Sequence, residues 1–298
     1  MSAPRIPRSI AVAIVAASIL APTLAPVPAR AQILDRILDR AEEVKDVADK
    51  VGAAVVPIST EQEIVIGRGI AATIAGHYGV LSDSLLTRYV NLVGTAVAAV
   101  DPRDDVRYRF AVLDTDDVNA FAAPGGYVFV TRGALAIMQD EAMLAGVLAH
   151  EVGHVNHRDV VEEIQSRART ELGIQEAAER VDITGEEYLK RAVETGASAL
   201  FMGLSREDEL AADAFGVRTA AAAGYDPSGL ERFVAAISTA PSEERSLLTR
   251  THPDAEDRIA AIQTEIGKLS TGGRDGITAS RRFQERMGAV TGGAATGR

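Results

Sequence analysis

The sequence predicts an α+β domain that is mainly α-helical, with a small β-sheet placed ahead of one long apolar helix. Residues 107–113 (RYRFAVL) alternate in polarity and residues 127–131 (YVFVT) are rich in β-branched and aromatic side chains, so both segments favour strands. A Pro-Gly-Gly turn separates the second strand from residues 119–123. From Gly133 onward, helical periodicity dominates, and it predicts helices over 140–157, 159–180, 185–202, 205–223, 227–238 and 254–268.

The first 31 residues are typical of a cleavable export signal. Arg5 and Arg8 precede an apolar run at residues 10–20 that is too short to span a bilayer comfortably, and residues 29–31 (ARA) match the small-x-small cleavage pattern. We therefore expect a mature protein that begins at Gln32 and is soluble in an exported compartment, the periplasm of a Gram-negative cell. An uncleaved N-terminal anchor is the alternative.

The remainder divides into three parts. Residues 32–58 contain an amphipathic helix (33–51) and a linker, and this helix either packs on its own domain or contacts a membrane or partner. Residues 59–269 form the main domain, whose first two helices are predicted over 59–75 and 82–100. The glycine-rich segment 270–298 lacks periodicity and is predicted to be a flexible tail.

Composition limits the possible chemistry. The chain has 298 residues, a formal net charge of -11 and no cysteine. An acidic chain without a basic stripe offers no electrostatic surface for nucleic acid. Since thiolates are absent, a bound metal ion must be held by histidine and carboxylate side chains.

The segment LAHEVGHVNHRD, which begins at Leu148, carries the strongest functional signal. His150 and His154 are four residues apart in a helix-forming run, so both imidazoles lie on one helix face and can bind one zinc ion. Glu151 is placed beside the first histidine, where it can accept a proton from water. The alternative for this pentad alone is a helix with two surface histidines, but the apolar turns before it favour a buried helix whose polar groups need a partner such as a metal.

A catalytic zinc ion needs a third protein ligand and an open coordination position. The metzincin continuation is excluded because residues 157 and 160 are His157 and Val160. His157 lies about 10 Å along the helix axis from the first histidine of the pentad. We interpret it as a surface residue or one that supports the site without binding the metal.

Two acidic regions can supply the third ligand. Glu209 and Asp213 are four residues apart on a helix that begins with a Ser205 cap, so one can bind zinc while the other accepts the outer N–H of a ligating histidine. Glu171 and Glu176 are the other candidates. Spacing favours the first pair without excluding the second.

The combined motifs resemble the HtpX/BepA-like gluzincin metalloproteases, the family that also contains Oma-type mitochondrial peptidases and CAAX prenyl proteases. The resemblance runs from about Glu61 to Leu269. It rests on Glu61-Gln62-Glu63 with Ile66-Gly67, on Asn119-Ala120-Phe121-Ala122 with Pro124-Gly125-Gly126, on the HEVGH pentad, on Ser205-Arg206 with Glu209 and Ala212-Asp213, and on Thr251-His252-Pro253 with Arg258-Ile259. It implies a zincin-like fold and a compact exported type without tetratricopeptide repeats or multiple membrane helices.

The resemblance also implies residue roles. A single zinc ion would be bound by His150, His154 and Glu209, with Glu151 as catalytic base and Asp213 hydrogen-bonded to a ligating histidine. His252 would stabilise the oxyanion or act as a switch ligand, unless it only caps the helix that starts near Pro253. The Pro-Gly-Gly strand would form the edge along which an extended substrate pairs, through Asn119, Pro124, Gly125, Gly126 and Tyr127. One departure is Asp159, which follows Arg158 where many relatives have histidine.

The resulting hypothesis is an exported zinc endopeptidase that cleaves unfolded or misassembled envelope proteins, with Glu151 activating water. Membrane association is possible but not required. One alternative is a chaperone-like protein-binding module in which His252 closes a structural zinc site. Another is a latent protease in which His252 covers the metal until it is displaced.

Overall fold

The computed structural model describes residues 57–100, 103–172, 185–239, 251–252, 255–269 and 276–293. The predicted export signal and amphipathic helix lie outside these residues. The described elements are α1 (Thr60–Tyr78), α2 (Ser84–Ala98), β1 (Arg109–Leu113), β2 (Ala120–Ala123), β3 (Tyr127–Thr131), α3 (Arg132–Ile137), α4 (Glu141–His157), α5 (Asp159–Leu172), α6 (Gly185–Met202), α7 (Arg206–Ala222), α8 (Gly229–Thr239), α9 (Ala255–Lys268) and α10 (Ser280–Gly293). The prediction of a mainly helical domain with a small sheet is confirmed.

The three described strands form one sheet in the order β1-β3-β2. β3 pairs in parallel with β1 and antiparallel with β2, so that Tyr127 lies opposite both Arg109 and Ala123. The expectation that the strand after the Pro-Gly-Gly turn is a free edge is therefore wrong, because β3 is the central strand. The periodicity of a strand shows which residues alternate but not which neighbours it pairs with. The two edge strands of this sheet are β1 and β2.

Helix α4 is the centre of the domain. It begins at an Asp140 cap, whose carboxylate accepts a 3.0 Å bond from Met143 N–H, and ends at Arg158, which has a left-handed φ of 64°. Every residue from Glu141 to Val155 is buried. At Gly153 a Cβ would lie 3.3 Å from the Ala212 Cα, so two small residues allow α4 and α7 to pack closely. This close packing brings the acidic residues of α7 to the histidine face of α4.

The C-terminal segment differs from the expectation of a flexible tail starting at residue 270. Residues 276–293 include α10, and its Phe283 is fully buried against the main core. The Thr278 carbonyl accepts bonds of 3.0 and 3.3 Å from the N–H groups of Glu141 and Ala142 at the start of α4. One buried aromatic residue and a helix-capping carbonyl hold this segment in place, and neither produces a periodic sequence pattern.

Among the described residues, no helix combines the length and apolar character required to cross a bilayer.

Candidate metal centre and active site

Four side chains converge beside α4 and could hold a metal ion. They are His150 and His154 from α4, Glu209 from the first turn of α7, and His252 from the short segment before α9. Each offers a ligand atom, and these atoms all lie within 4.8 Å of one another. Glu209 is positioned by the Ser205 cap, whose hydroxyl accepts a 3.2 Å bond from Asp208 N–H and so fixes the start of α7.

The distances between three of these groups fit a tetrahedral ion. The Nε2 atoms of His150 and His154 are 3.1 Å apart. The carboxylate oxygens of Glu209 lie 3.6 Å from His150 Nε2 and 3.5 Å from His154 Nε2. Two ligands at 2.0–2.1 Å from a tetrahedral zinc ion are separated by about 3.3–3.4 Å. The two-nitrogen, one-carboxylate donor set is also one that zinc accepts.

Asp213 orients His150 from the side opposite the cluster. Its Oδ1 lies 2.9 Å from His150 Nδ1, and its two oxygens receive 2.8 and 2.7 Å bonds from Arg258 of α9. Burial lowers the pKa of His150, and the neighbouring Asp213 only partly offsets this. Burial raises the pKa of Asp213, but Arg258 and His150 outweigh burial and hold that pKa at about 2. The arrangement keeps a carboxylate on the outer nitrogen of the histidine, which leaves Nε2 free to bind a cation.

Asp159 performs the corresponding task for His154, and the sequence interpretation missed it. Its Oδ2 lies 2.6 Å from His154 Nδ1, and both side chains are buried. Burial lowers the pKa of His154, but Asp159 and Glu209 outweigh burial and raise that pKa to about 9. The sequence feature that could have indicated this role is an acidic residue just after α4. The left-handed conformation of Arg158 turns the chain there, back towards α4.

Glu209 also contacts His252 and Arg258. His252 Nδ1 lies 2.8 and 2.9 Å from the two oxygens of Glu209, and Arg258 Nη1 lies 3.4 Å from one of them. Burial raises the pKa of Glu209, but His252, Arg258 and His154 together hold it well below its usual value. Glu209 is therefore an ionised buried carboxylate, which needs cationic neighbours.

Glu151 lies beside this cluster without being one of its four members. Its side chain is 2% exposed and lines two cavities. His252 lines both cavities as well. A carboxylate that lies beside the four converging side chains and lines a cavity is placed to accept a proton from water.

The start of β2 adjoins both cavities through Ala120. The Asn119 side-chain oxygen accepts a 2.9 Å bond from Ala120 N–H and a 3.2 Å bond from the Thr251 hydroxyl. Asn119 is fully buried, yet its Nδ2 has no hydrogen-bond partner among the described residues. Asn119 therefore contacts Thr251, the residue before His252 in the chain, but lines neither cavity.

The Pro-Gly-Gly turn does not share this position. Gly125 N–H donates a 3.2 Å bond to Glu63 of α1, and Pro124 packs so closely on α1 that a Cβ at Gly67 would lie 1.7 Å from its carbonyl oxygen. The turn requires left-handed φ values of 73° at Gly125 and 89° at Gly126, which glycine adopts without strain. Pro124 and Gly125 are therefore held against α1 at the far end of β2, and neither they nor Gly126 line either cavity.

The other candidate residues do not join the cluster. His157 packs edge-on against Phe215 at 5.5 Å between ring centroids and is not a member of the four-residue group. Glu176 and the side chain of Glu171 lie outside the described part of the chain.

Comparison with known proteins agrees with this geometry. The profile of peptidase family M48 matches residues 84–266. The chain is 25% identical over 242 residues to the beta-barrel assembly-enhancing protease of Escherichia coli, covering 77% of this chain and 48% of that protein. It is 30% identical over 181 residues to the mitochondrial metalloendopeptidase OMA1 of Schizosaccharomyces pombe, covering 59% of this chain and 52% of that protein. The chain spans about half the length of these curated relatives.

The family match covers more than half of the chain, and it includes both histidines of the pentad and the start of α7. It confirms the resemblance inferred from the sequence motifs. The chain belongs to peptidase family M48.

Proposed function

We propose that this protein is a zinc-dependent endopeptidase that cleaves unfolded or misassembled proteins. The observation that supports it most strongly is the convergence of His150, His154 and Glu209 beside Glu151, which lines a cavity with a mainly apolar wall. Membership of a peptidase family points to the same chemistry.

In this proposal His150, His154 and Glu209 hold the ion, and Asp213 and Asp159 fix the two imidazole rings. Zinc in such a site polarises a substrate carbonyl and makes water reactive at neutral pH. Glu151 accepts the proton from the attacking water and delivers it to the leaving amine.

His252 stabilises the negative charge that develops on the carbonyl oxygen. Its contact with Glu209, a proposed metal ligand, places its ring beside the site of reaction.

The substrate pairs with the edge of β2 rather than with the strand after the Pro-Gly-Gly turn. Ala120, the first residue of β2, lines both cavities and places this edge beside the cluster. Main-chain pairing recognises an extended segment without demanding a particular sequence, which suits an enzyme for unfolded chains.

We further propose that the protein acts in the periplasm, on envelope proteins. The export-like sequence of residues 1–31 supports this location. The name of the Escherichia coli relative, a beta-barrel assembly-enhancing protease, supports the substrate class.

The test uses one substrate in two states. The full chain is incubated with a disulfide-free protein, either folded or denatured, with zinc, with a chelator, and with a chelator followed by zinc. The proposal predicts that the denatured substrate is cleaved only when zinc is present and that the folded one is spared. Cleavage that persists in excess chelator would contradict it.

A second candidate, a latent site, is favoured by the bonds between His252 and Glu209, since a histidine in this position can close the metal site. Replacing His252 by alanine separates the two roles on a short peptide. A faster reaction indicates latency, whereas a slower one indicates stabilisation of the oxyanion.

A further inference from the structure

Glu63 is a fully buried carboxylate in the first turn of α1, and it contacts three other segments of the chain. Its Oε1 accepts a 2.7 Å bond from Arg103 Nη1, in the loop before β1, and a 3.2 Å bond from Gly125 N–H, in the turn between β2 and β3. Its Oε2 accepts a 3.1 Å bond from Arg103 Nη2 and lies 2.8 Å from Nε of Arg158, just after α4. Since a buried carboxylate needs such partners, Glu63 ties four segments together.

Arg158 is the only residue between α4 and α5. Its φ of 64° lies in the left-handed region, which only one other non-glycine residue in the described part of the chain, Ala279, adopts. Most side chains disfavour this region for steric reasons. Two contacts at the start of α1 hold the Arg158 side chain, namely the ion pair with Glu63 and a 2.6 Å bond from Arg158 Nη2 to the Ile58 carbonyl. These contacts stabilise a left-handed residue at the junction of the two helices.

The junction at Arg158 determines the position of the carboxylate that contacts His154. Asp159 is the first residue of α5, and its Oδ2 lies 2.6 Å from His154 Nδ1. Because Asp159 directly follows the left-handed residue, a different backbone conformation at Arg158 would move this carboxylate away from the imidazole. A carboxylate on the outer nitrogen of a ligating histidine fixes the orientation of the ring and strengthens metal binding.

The other cationic partner of Glu63 is bound to the same end of α4. Arg103 Nη1 donates a 3.0 Å bond to the carbonyl of Val155, in the last turn of that helix. Arg103 also pairs with Asp105 at 2.8 Å, so it keeps an anionic partner when the charge of Glu63 is removed. Removing that charge therefore acts mainly on the contact with Arg158.

We propose that Glu63 is a positioning residue for the metal centre, because its ion pair with Arg158 holds the left-handed turn that places Asp159 against His154. Glu63 lines neither cavity beside the cluster, so it acts only through the residues that it holds. This inference rests on the proposed peptidase function and adds a residue of α1 that strengthens zinc binding without contacting the ion or the substrate.

Glu63→Gln tests this role because it changes the two carboxylate oxygens differently. Glutamine can keep an acceptor oxygen opposite Gly125 N–H, and it then presents an NH₂ group to Arg158. Zinc affinity, measured by competition with a chelating indicator, should fall about 10-fold, because a carboxylate that holds a ligating histidine contributes about 10–100-fold and Glu63 acts only through it. Zinc affinity equal to that of the wild-type chain would overturn the proposal.

A double variant tests whether the effect passes through Asp159. Glu63→Gln combined with Asp159→Asn should bind zinc as tightly as Asp159→Asn alone, since the charge that Glu63 positions is already absent. If the double variant instead shows the two single losses added together, Glu63 acts by another route and the proposal fails.

Changes at Arg158 test the conformational step while Glu63 stays in place. Glycine adopts a left-handed φ without strain, so Arg158→Gly should keep the wild-type zinc affinity and should restore it in the Glu63→Gln background. Valine is strongly disfavoured in this region, so Arg158→Val should weaken zinc binding. Equal zinc affinities in the glycine and valine variants, or no restoration by glycine, would refute the role of the left-handed turn.

Glu141→Gln is the matched control for lost stability. Glu141 is a buried acid that pairs with Arg282 at the opposite end of α4, and it lines neither cavity. Both glutamine variants remove the charge of a buried, ion-paired carboxylate, but only Glu63→Gln should weaken zinc binding. An equal fall in both variants would show that reduced stability, rather than positioning, is responsible.

Cleavage of a denatured protein, measured on the same preparations, separates this inference from the proposed function. The expected order of zinc affinities in a chain that cleaves nothing would support the positioning role and contradict the peptidase function. Equal zinc affinities in a chain that does cleave would overturn the positioning role while leaving the peptidase function intact.

Discussion

Replacing Asp159 by asparagine should weaken zinc binding without unfolding the protein. Asp159 Oδ2 lies 2.6 Å from His154 Nδ1, and among the described residues no other hydrogen bond is made by this carboxylate. Asparagine keeps the shape and an acceptor oxygen but removes the negative charge that makes the imidazole a stronger donor to the metal.

The expected size follows from the position of Asp159 outside the ligand set. Carboxylates that hold a ligating histidine typically contribute about 10–100-fold to metal affinity, or about 1.4–2.7 kcal/mol. Asp159 and His154 are 5% and 3% exposed, so solvent screens their contact little and the upper half of this range applies. His154 itself remains in place because the turns of α4 around it are buried.

The assay is competition for zinc between the full chain and a chelating indicator. Glu162→Gln is the matched control, since Glu162 is an exposed acid in the same first turn of α5. It removes the same charge from the same helix without touching a histidine. Zinc affinity of Asp159→Asn equal to that of Glu162→Gln would refute the role assigned to the contact.

Two further substitutions affect stability. Asp213→Asn should destabilise the fold by about 3–5 kcal/mol in denaturant unfolding, because it removes the carboxylate that accepts two hydrogen bonds from the buried Arg258. A loss below about 1 kcal/mol would contradict this. Burial raises the pKa of Glu141, but Arg282 and then Tyr89 outweigh it and lower that pKa below its usual 4.5. The stabilisation by the Glu141 carboxylate is therefore complete above pH 4.5 and is lost as the pH falls through the lowered pKa. Glu141→Gln should reduce the free energy of unfolding by about 2 kcal/mol at neutral pH and by progressively less in acid. A difference from wild type that is constant with pH would show that the carboxylate charge is not involved.

The sequence predicted the helices well because they depend on local periodicity, and His150, His154 and Glu209 converge as expected, the histidines from their spacing and Glu209 from the family resemblance. The His-Glu-x-x-His pattern requires only that α4 be a helix, and the cap at Ser205 determines where Glu209 lies on α7. The motifs around Asn119 and His252 came from resemblance to the family; His252 is one of the four converging side chains, and Asn119 contacts its chain neighbour Thr251.

The features that the sequence did not reveal depend on contacts between distant segments. The strand order places β3 at the centre of the sheet, although the family resemblance implied that it is an edge. Asp159 reaches His154 only because Arg158 adopts a left-handed conformation. The cavity with the mainly apolar wall requires α8 to pack against α4, and the amphipathic pattern of α8 shows an apolar face but not that part of it is left open beside a metal centre.

The most direct test of the proposed chemistry compares the wild-type chain with Glu151→Gln, measuring bound zinc and the cleavage of a denatured protein on the same preparations. Glu151 is not among the four side chains that converge at the proposed metal centre, so the two proteins should bind equal amounts of zinc. Loss of a general base costs about 100-fold or more, so the variant should show almost no cleavage. Cleavage by Glu151→Gln at the wild-type rate, with zinc retained, would contradict the assignment of Glu151 as the base.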